Sequence, residues 1–340
     1  MIIRSKAPLR LGLAGGGTDV SPYADIHGGA ILNATINLFA HATLEPIDEG
    51  IELEAKDQGI SLKLDSSETL ELNGELDLLK GVYNRIVKEF TQKPLAFRLT
   101  TFVDAPPGSG LGSSSTLVVA ILGAFTEWLK LPLGEYDIAH LAYEIERIDL
   151  DLAGGRQDQY AATFGGVNFM EFYKDDKVIV NPLRIRKNVI QELQNNLVLF
   201  YTGNSRESAA IIEKQSKNIQ SGADQAMEAT HKVKAQAIKM KEALLKGELD
   251  SLGAILDQSW QYKKQMASGI SNPRIDEIYS TAINAGATGG KISGAGGGGF
   301  VFFYCPLNQR FEVIKALRNI NVNYQHYEFN LSGLYSYTFQ

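Results

Sequence analysis

Pro106-Pro107-Gly108-Ser109-Gly110-Leu111-Gly112-Ser113-Ser114-Ser115 separates an apolar, strand-like run, Leu95 to Val103, from an apolar, helix-like run, Thr116 to Leu129. A glycine loop that opens a helix aims several unpaired backbone N–H groups and the positive end of the helix dipole at one point, which is how proteins hold phosphate. The stretch therefore predicts a strand, a phosphate-binding turn and a helix, with a nucleotide as the first candidate ligand. Two better-known phosphate loops do not fit. No lysine follows Gly112, and Gly289-Gly290-Lys291 has Ala285 where a Walker loop needs its first glycine and Ile292 where it needs a hydroxyl. The dinucleotide fingerprint fails at Ser115, and a second helical pattern follows where a parallel strand ending in an acidic residue is required.

Two further glycine clusters flank the first. Ala7-Pro8-Leu9-Arg10-Leu11-Gly12-Leu13-Ala14-Gly15-Gly16-Gly17-Thr18-Asp19 lies near the N-terminus, and Lys291-Ile292-Ser293-Gly294-Ala295-Gly296-Gly297-Gly298-Gly299-Phe300 near the C-terminus. Each alone reads as a tight turn. Together, in this order and spacing, they resemble the three motifs of the GHMP kinases, the superfamily of galactokinase, homoserine kinase, mevalonate kinase and phosphomevalonate kinase, over nearly the whole chain. Gly16-Gly17 stands where galactokinase-like members carry Glu-His, and Arg10 to Asp19 looks like the form found in D-glycero-D-manno-heptose 7-phosphate kinases. Gly154-Gly155-Arg156-Gln157-Asp158-Gln159-Tyr160-Ala161-Ala162 with Phe164-Gly165-Gly166 resembles the same version.

The resemblance implies a two-domain α+β fold, a ribosomal-protein-S5-like N-terminal domain followed by a ferredoxin-like C-terminal domain with the site between them. We expect a nucleotide-binding domain over residues 1–185 and a C-terminal domain over 186–340. The implied reaction transfers the γ-phosphate of ATP to the C1 hydroxyl of D-glycero-D-manno-heptose 7-phosphate, with Mg2+. Fucose- or galactose-type sugar kinases, and a non-catalytic sugar- and ATP-binding regulator, are the alternatives.

Carried over motif by motif, the resemblance gives Asp158 as the catalytic aspartate that accepts or orients the sugar proton, and Arg10 as the arginine near the reacting group. Pro107, Gly108, Gly110, Leu111, Gly112 and Ser113 to Ser115 would cradle the nucleotide. Gly16, Gly17, Thr18, Asp19, Arg156, Gly294 and Gly296 would face the sugar. Magnesium takes oxygen ligands and one or two protein carboxylates; Ser114, not separable from Ser113 or Ser115 by sequence, and Glu146, with Glu144 as competitor, are the candidates. A phosphorylated substrate needs a second cationic pocket, for which Arg156, Arg206 and Lys291 are available. As plain structure, Asp158 would begin a helix, Arg10 and Asp19 would form a buried ion pair, and Glu146 would be a solvated helix carboxylate.

Composition fits an ordinary globular enzyme: 340 residues, 44% hydrophobic and 21% charged, enough for two cores. A formal charge of −6 argues against a nucleic-acid partner, and means that placed cations, backbone N–H groups and a metal must supply any positive potential for a nucleotide. No window reaches the ~20 apolar residues of a membrane span, and Met1-Ile2-Ile3-Arg4 runs straight into the first motif. We expect a cytoplasmic enzyme with a small-molecule sugar phosphate substrate; a homodimer is left open. The single cysteine, Cys305, reads as a buried hydrophobe, and the five histidines have no zinc-like spacing.

Periodicity predicts strands over Ile2 to Leu13, Ile31 to Leu44, Leu197 to Tyr201 and Phe300 to Tyr304, and a hairpin over Gly50 to Leu64, with antiparallel pairing in the first part. Helices are expected over Leu76 to Phe90, Ser113 to Leu129, Leu133 to Ile148, Asp158 to Phe164, Pro273 to Ala285 and Phe311 to Leu317. Between Glu207 and Met266 a lysine- and alanine-rich helical region breaks near Gly222, Gly247 and Gly269. Within it Lys232, Lys234, Lys239 and Lys241 would form a solvated face opposite Val233, Ile238 and Leu245. The closing alternation, Leu334 to Phe339, is expected in the second domain.

Overall fold

A computed structural model describes residues 1–203 and 208–339. In chain order the first part comprises β1 (Ile2–Ala14), α1 (Tyr23–His27), β2 (Gly29–Pro46), β3 (Ile51–Ala55), β4 (Ile60–Leu64), α2 (Asp77–Ile86), β5 (Phe97–Val103), α3 (Ser113–Leu129), α4 (Glu135–Glu144), α5 (Gln157–Phe164), β6 (Val167–Phe172) and β7 (Val178–Pro182). Then follow α6 (Lys187–Asn196), β8 (Leu197–Tyr201), α7 (Ser208–Gln220), α8 (Asp224–Lys246), α9 (Leu252–Met266), α10 (Pro273–Asn284), β9 (Gly289–Ile292), β10 (Phe300–Tyr304), α11 (Gln309–Asn319), β11 (Asn323–Gln325) and β12 (Tyr335–Phe339). α2 and α4 both run on into a π-helical turn, over Val87–Thr91 and Ile145–Asp149.

Two sheets organise these elements. The first has the order β12-β1-β2-β5-β3-β4, and the early half of the 18-residue β2 also pairs with β6, which pairs with β7. The expected antiparallel pairing holds except between β3 and β5, which are parallel because α2 carries the chain back across the sheet. β1 alternates buried and exposed over Ile3 to Lys6 and is buried on both faces from Ala7 onward, where a second layer covers it. That layer includes α3, whose residues Ser115 to Phe125 are all buried; apolar on every side, the helix can only sit inside.

The second sheet, β11-β8-β10-β9, is antiparallel throughout. Its alternation sorts side chains between two cores. Leu197, Leu199, Phe300, Phe302 and Tyr304 join the large core that also holds β1, β2 and α3, whereas Val198, Phe200, Val301, Phe303 and Cys305 pack with Trp260, Ile278 and Val313. Since one apolar core runs through both sheets, the cleft between the two halves has a fixed floor. Cys305 is the buried hydrophobe expected of it, its thiol pushed up to about 12 by burial.

The strand at 335–339 departs from expectation. It pairs with β1 in the first sheet, and the approach to it bonds to β2 through Asn330 N to Thr35 O (2.9 Å) and to α5 through Leu334 N to Thr163 O (3.0 Å). Local alternation predicts a strand but carries no information about its partner. The inner face of α8 also differs: Val233 is buried, but Ile238 and Leu245 are exposed, and Ala237, Met240 and Leu244 take the core side. The stripe of period 3.6 through Val233 runs over small alanines, so the larger apolar residues gave the wrong face. Residues 23–27, 167–172, 178–182, 187–196, 289–292 and 323–325 form elements that the sequence pattern does not predict. Among the described residues no helix is long and apolar enough to cross a membrane.

β9 meets α9 at backbone distance, since a Cβ on Gly289 would lie 1.9 Å from Gly253 O. Gly289→Ala is expected to destabilise the fold by about 1–3 kcal/mol, the usual cost of forcing atoms into a packed interior, read as a lower denaturant midpoint; an unchanged midpoint would refute the close contact.

Candidate active site

The phosphate-type turn has the geometry its sequence demands. Gly108, Gly110 and Gly112 take φ of 70°, 82° and 79°, a region open to glycine and strained for other residues. Glycine at 110 is required for a second reason, as a Cβ there would lie 2.3 Å from Ser293 O. The third glycine cluster thus lies backbone to backbone on the turn, and Phe300 N donates to Ser109 O at 2.9 Å. At the start of α3 the first intrahelical bond runs from Thr116 N to Gly112 O (2.9 Å), so the N–H groups of Ser113, Ser114 and Ser115 have no intrahelical partner. Gly112 has no side chain to cap them and no acidic residue occupies the first turn, which leaves the positive end of the helix uncompensated.

Arg10, buried midway along β1, draws the motifs together. Its guanidinium donates from Nε to Asp158 Oδ1 at 2.7 Å, with Nη2 2.6 Å from the same oxygen, and from Nη1 to Gly110 O at 2.5 Å and Ser293 Oγ at 3.4 Å. Asp158, second residue of α5, lies against Gly112: a Cβ on that glycine would be 3.0 Å from the carboxylate carbon. The carboxylate therefore sits beside the free N–H groups of α3 and is partly open to the cleft.

Glu146 comes from the π-helical turn after α4. The wider turn shifts the side-chain register there, and Glu146 is buried facing α5, where Gln159 Nε2 donates to it at 2.5 Å and to Ser115 Oγ at 3.2 Å. Burial raises its carboxyl above the ordinary range, against the nearby Arg147 and the hydrogen bonds from Ser115 and Gln159. Glu144 faces elsewhere and pairs with Arg85 at 2.9 Å. Ser115 is the serine in this cluster; Ser114 is exposed and lines the cleft.

These groups surround a cleft of about 510 Å³ between the two halves. Pro107, Gly17, Asp19 and Gly294 also line it. Asp19 is buried and accepts from Arg156 N (2.9 Å) and Gln157 N (3.1 Å). Burial, and after it the Asp158 charge, raise its carboxyl above the usual range. Asp19 and Arg10 do not form the ion pair that a purely structural reading of them expects.

Other sequence candidates support the site from behind. Gly16 O accepts from Lys263 Nζ at 2.8 Å, Thr18 Oγ1 bonds the backbone of Ala30, the Leu111 side chain is buried in the core while its carbonyl accepts from Arg10 N, and Gly296 packs on Ile270. Of the three cations considered for a second anion pocket, Lys291 is buried and donates to Gly12 O at 2.6 Å. Arg156 turns its guanidinium to Asp25 (2.7 Å) and Asp176 (3.1 Å). Arg206 lies outside the described residues.

Four polar side chains that line the cleft are not among the sequence candidates: Lys263, Gln215, Arg147 and Gln157. Lys263 is buried on α9, its ammonium pulled down to about 8 by burial despite the neighbouring Asp19. A signal existed, since Lys263 falls on the stripe of Leu252, Leu256, Ser259 and Trp260 that α9 buries. Among the described residues no three His, Cys, Asp or Glu side chains converge as a metal cage; two buried carboxylates, Asp19 and Glu146, one partly open carboxylate, Asp158, and serine hydroxyls are the carboxylate and hydroxyl oxygen donors of side chains lining the cleft.

Comparison with known proteins identifies the family. The family described as GHMP kinases N terminal domain matches residues 77–166, and GHMP kinases C terminal matches residues 240–323. A D-glycero-alpha-D-manno-heptose 7-phosphate kinase of Campylobacter jejuni is 50% identical over 336 residues, 98% of each chain. A crystal structure described as a D-glycero-D-manno-heptose 1-phosphate kinase from Bacteroides thetaiotaomicron superposes with a TM-score of 0.85 at 46% identity over 99% of both chains. A putative sugar kinase from Campylobacter jejuni gives 0.82 at 49%, over 99% of this chain and 98% of that one. With half of its residues shared along nearly the whole length of such a relative, and both family domains present in order, the chain belongs to the GHMP kinases and is a sugar kinase, a phosphotransferase with an alcohol group as acceptor.

Proposed function

We propose that this protein transfers the γ-phosphate of ATP to the C1 hydroxyl of D-glycero-D-manno-heptose 7-phosphate. The observation that carries the reading is the Arg10–Asp158 pair seated on Gly112, beside the uncapped start of α3. The Campylobacter jejuni relative's name supplies the substrate. We also propose a cytoplasmic location and a division of the chain near residue 185, with β12 returning to the first sheet.

Phosphoryl transfer through a loose transition state depends on position and on positive charge around the transferred group. The N–H groups of Gly108 to Ser115 hold the triphosphate, Pro107 and Leu111 shape the turn, and Gly294 and Gly296 keep it closed. Asp158 takes or orients the proton of the attacking hydroxyl as the new O–P bond forms and the bond to the β–γ bridging oxygen breaks. Arg10 holds the Asp158 carboxylate in place and offers charge to the departing phosphoryl group. Asp19 accepts from sugar hydroxyls, its other bonds coming from the backbone of Arg156 and Gln157, while Gly16, Gly17 and Thr18 shape the strand end that carries it. Glu146 with Ser114 or Ser115 would hold Mg2+: all are oxygen donors, and a carboxylate whose burial disfavours its charge gains most from a cation. Bound there, the ion would neutralise phosphate charge.

ADP release, followed across heptose 7-phosphate, unphosphorylated heptose, fucose, galactose and mevalonate, is expected to be fastest with the first. Asp158→Asn should lower kcat by at least about a hundredfold. ATP binding without turnover of any sugar would replace this reading with that of a regulator.

Lys263 gives a pH dependence. Its ammonium is the cation beside buried Asp19, and with a value near 8 it is charged below that pH and neutral above it. We expect kcat/KM for the sugar to fall as pH rises through about 8, and Lys263→Arg, which stays protonated, to move the fall upward. A wild-type profile flat to pH 9, or the same fall in the arginine variant, would contradict the assignment.

A further inference from the structure

Next to the main cleft lies a smaller annex of about 350 Å³, and Asp19, Arg147, Leu152 and Gly154 line both spaces. Among the described residues three cations border it, and they differ in how far their charge is already met. Arg156 is buried between Asp25 and Asp176. Lys217 stands exposed at the rim with Glu213 3.9 Å away. Among the described residues Arg147 has Glu146 alone within ion-pair range, at 3.8 Å, and Glu146 is shared with Ser115 and Gln159.

Arg147 is nonetheless fixed in place. Nη1 donates to Leu152 O at 3.2 Å, and Nε and Nη2 donate to Gly155 O at 3.4 and 3.3 Å. A Cβ on Gly154 would lie 2.2 Å from Nη2, so the guanidinium occupies space that only a glycine leaves open. These bonds to neutral carbonyls are long and add no counter-charge to that of Glu146. A guanidinium held by backbone and facing a cavity is suited to a phosphate, whose oxygens match its planar donor set. Its neighbour on the other side is Gly155, where a Cβ would be 1.9 Å from Asp19 Oδ2. The arginine thus stands on the sugar side of the cleft, one residue away from contact with the proposed hydroxyl-binding carboxylate.

We propose that Arg147 recognises the phosphomonoester at the end of the substrate remote from the reacting hydroxyl, and that the annex receives that phosphate. Arg156 forms the annex wall, with its charge already compensated, and Ser216 and Lys217 flank the entrance. Arg147 is in this sense a specificity-determining residue, which separates a sugar phosphate from the free sugar. The inference rests on the heptose 7-phosphate reading given above.

The test is steady-state kinetics of the full-length protein with heptose 7-phosphate and with unphosphorylated heptose, comparing wild type, Arg147→Gln and Arg147→Lys. In the glutamine variant the ratio of kcat/KM for phosphorylated over free sugar is expected to fall roughly ten- to a hundredfold, the usual effect of losing a charge-assisted contact. The loss should lie mainly in the KM for the phosphorylated sugar, and the lysine variant should fall between. An equal loss on both sugars, or a loss carried by the KM for ATP, would overturn the assignment in favour of a structural or nucleotide-binding arginine. A wild type that handles both sugars equally well would overturn it too. A wild type that turns over neither would instead remove the heptose reading, and this inference with it.

Discussion

Arg10 is the constraint on which the site depends. One buried guanidinium from the first strand donates to the carboxylate of α5, to a carbonyl of the central glycine turn and to a hydroxyl of the third glycine cluster. Each partner comes from a different part of the sequence, and none is near Arg10 in the chain. An arginine can do this because its donors point in fixed in-plane directions and its charge persists when buried. Removing its side chain would leave Asp158 facing the cleft without its cation and Gly110 O without its donor, while the backbone bond from residue 10 to Leu111 O remains. Its net contribution to stability is modest beside that penalty, as for buried ion pairs in general.

The chain's net charge of −6 is reconciled with an anionic ligand by locality. Positive potential comes from groups that a residue count does not show: N–H groups at an uncapped helix start, and cations buried in or beside the cleft. Lys263 and Lys291 are both buried at the base of the first glycine cluster, bonded to its carbonyls, and burial pulls both ammonium groups down. Two carboxylates of the cleft, Asp19 beside Lys263 and Glu146 beside Arg147, are pushed up by the same cause. The cleft is therefore a set of opposed charges held apart by backbone, each costly alone and offset when ligand and counter-charge arrive together.

Much of this was legible in the sequence, for identifiable reasons. Ser113–Leu129 and Leu197–Tyr201 were readable to the residue because each is a sharply bounded apolar run. The motif residues Arg10, Gly110, Asp158 and Gly294 do meet at one cleft. What local pattern cannot encode is partnership: the last strand alternates correctly but its place beside β1 is decided by a long-range contact, and the face of α8 is set by alanines that carry little hydrophobic signal. The cations show the same limit. Arg156 and Lys291 lie next to motifs in sequence but have their donors occupied, while Lys263 and Arg147, unremarkable in sequence, face the cleft.

The central claim is that Arg10 and Asp158 present one acidic oxygen to a terminal phosphate held at the start of α3. A crystal structure with a nonhydrolysable ATP analogue and the sugar phosphate measures this most directly. The account predicts the triphosphate on the N–H groups of Ser113 to Ser115, the Arg10–Asp158 contact intact, and Asp158 beside the attacking hydroxyl. A triphosphate bound away from that turn, or Asp158 turned to bulk solvent with Arg10 paired elsewhere, would contradict it.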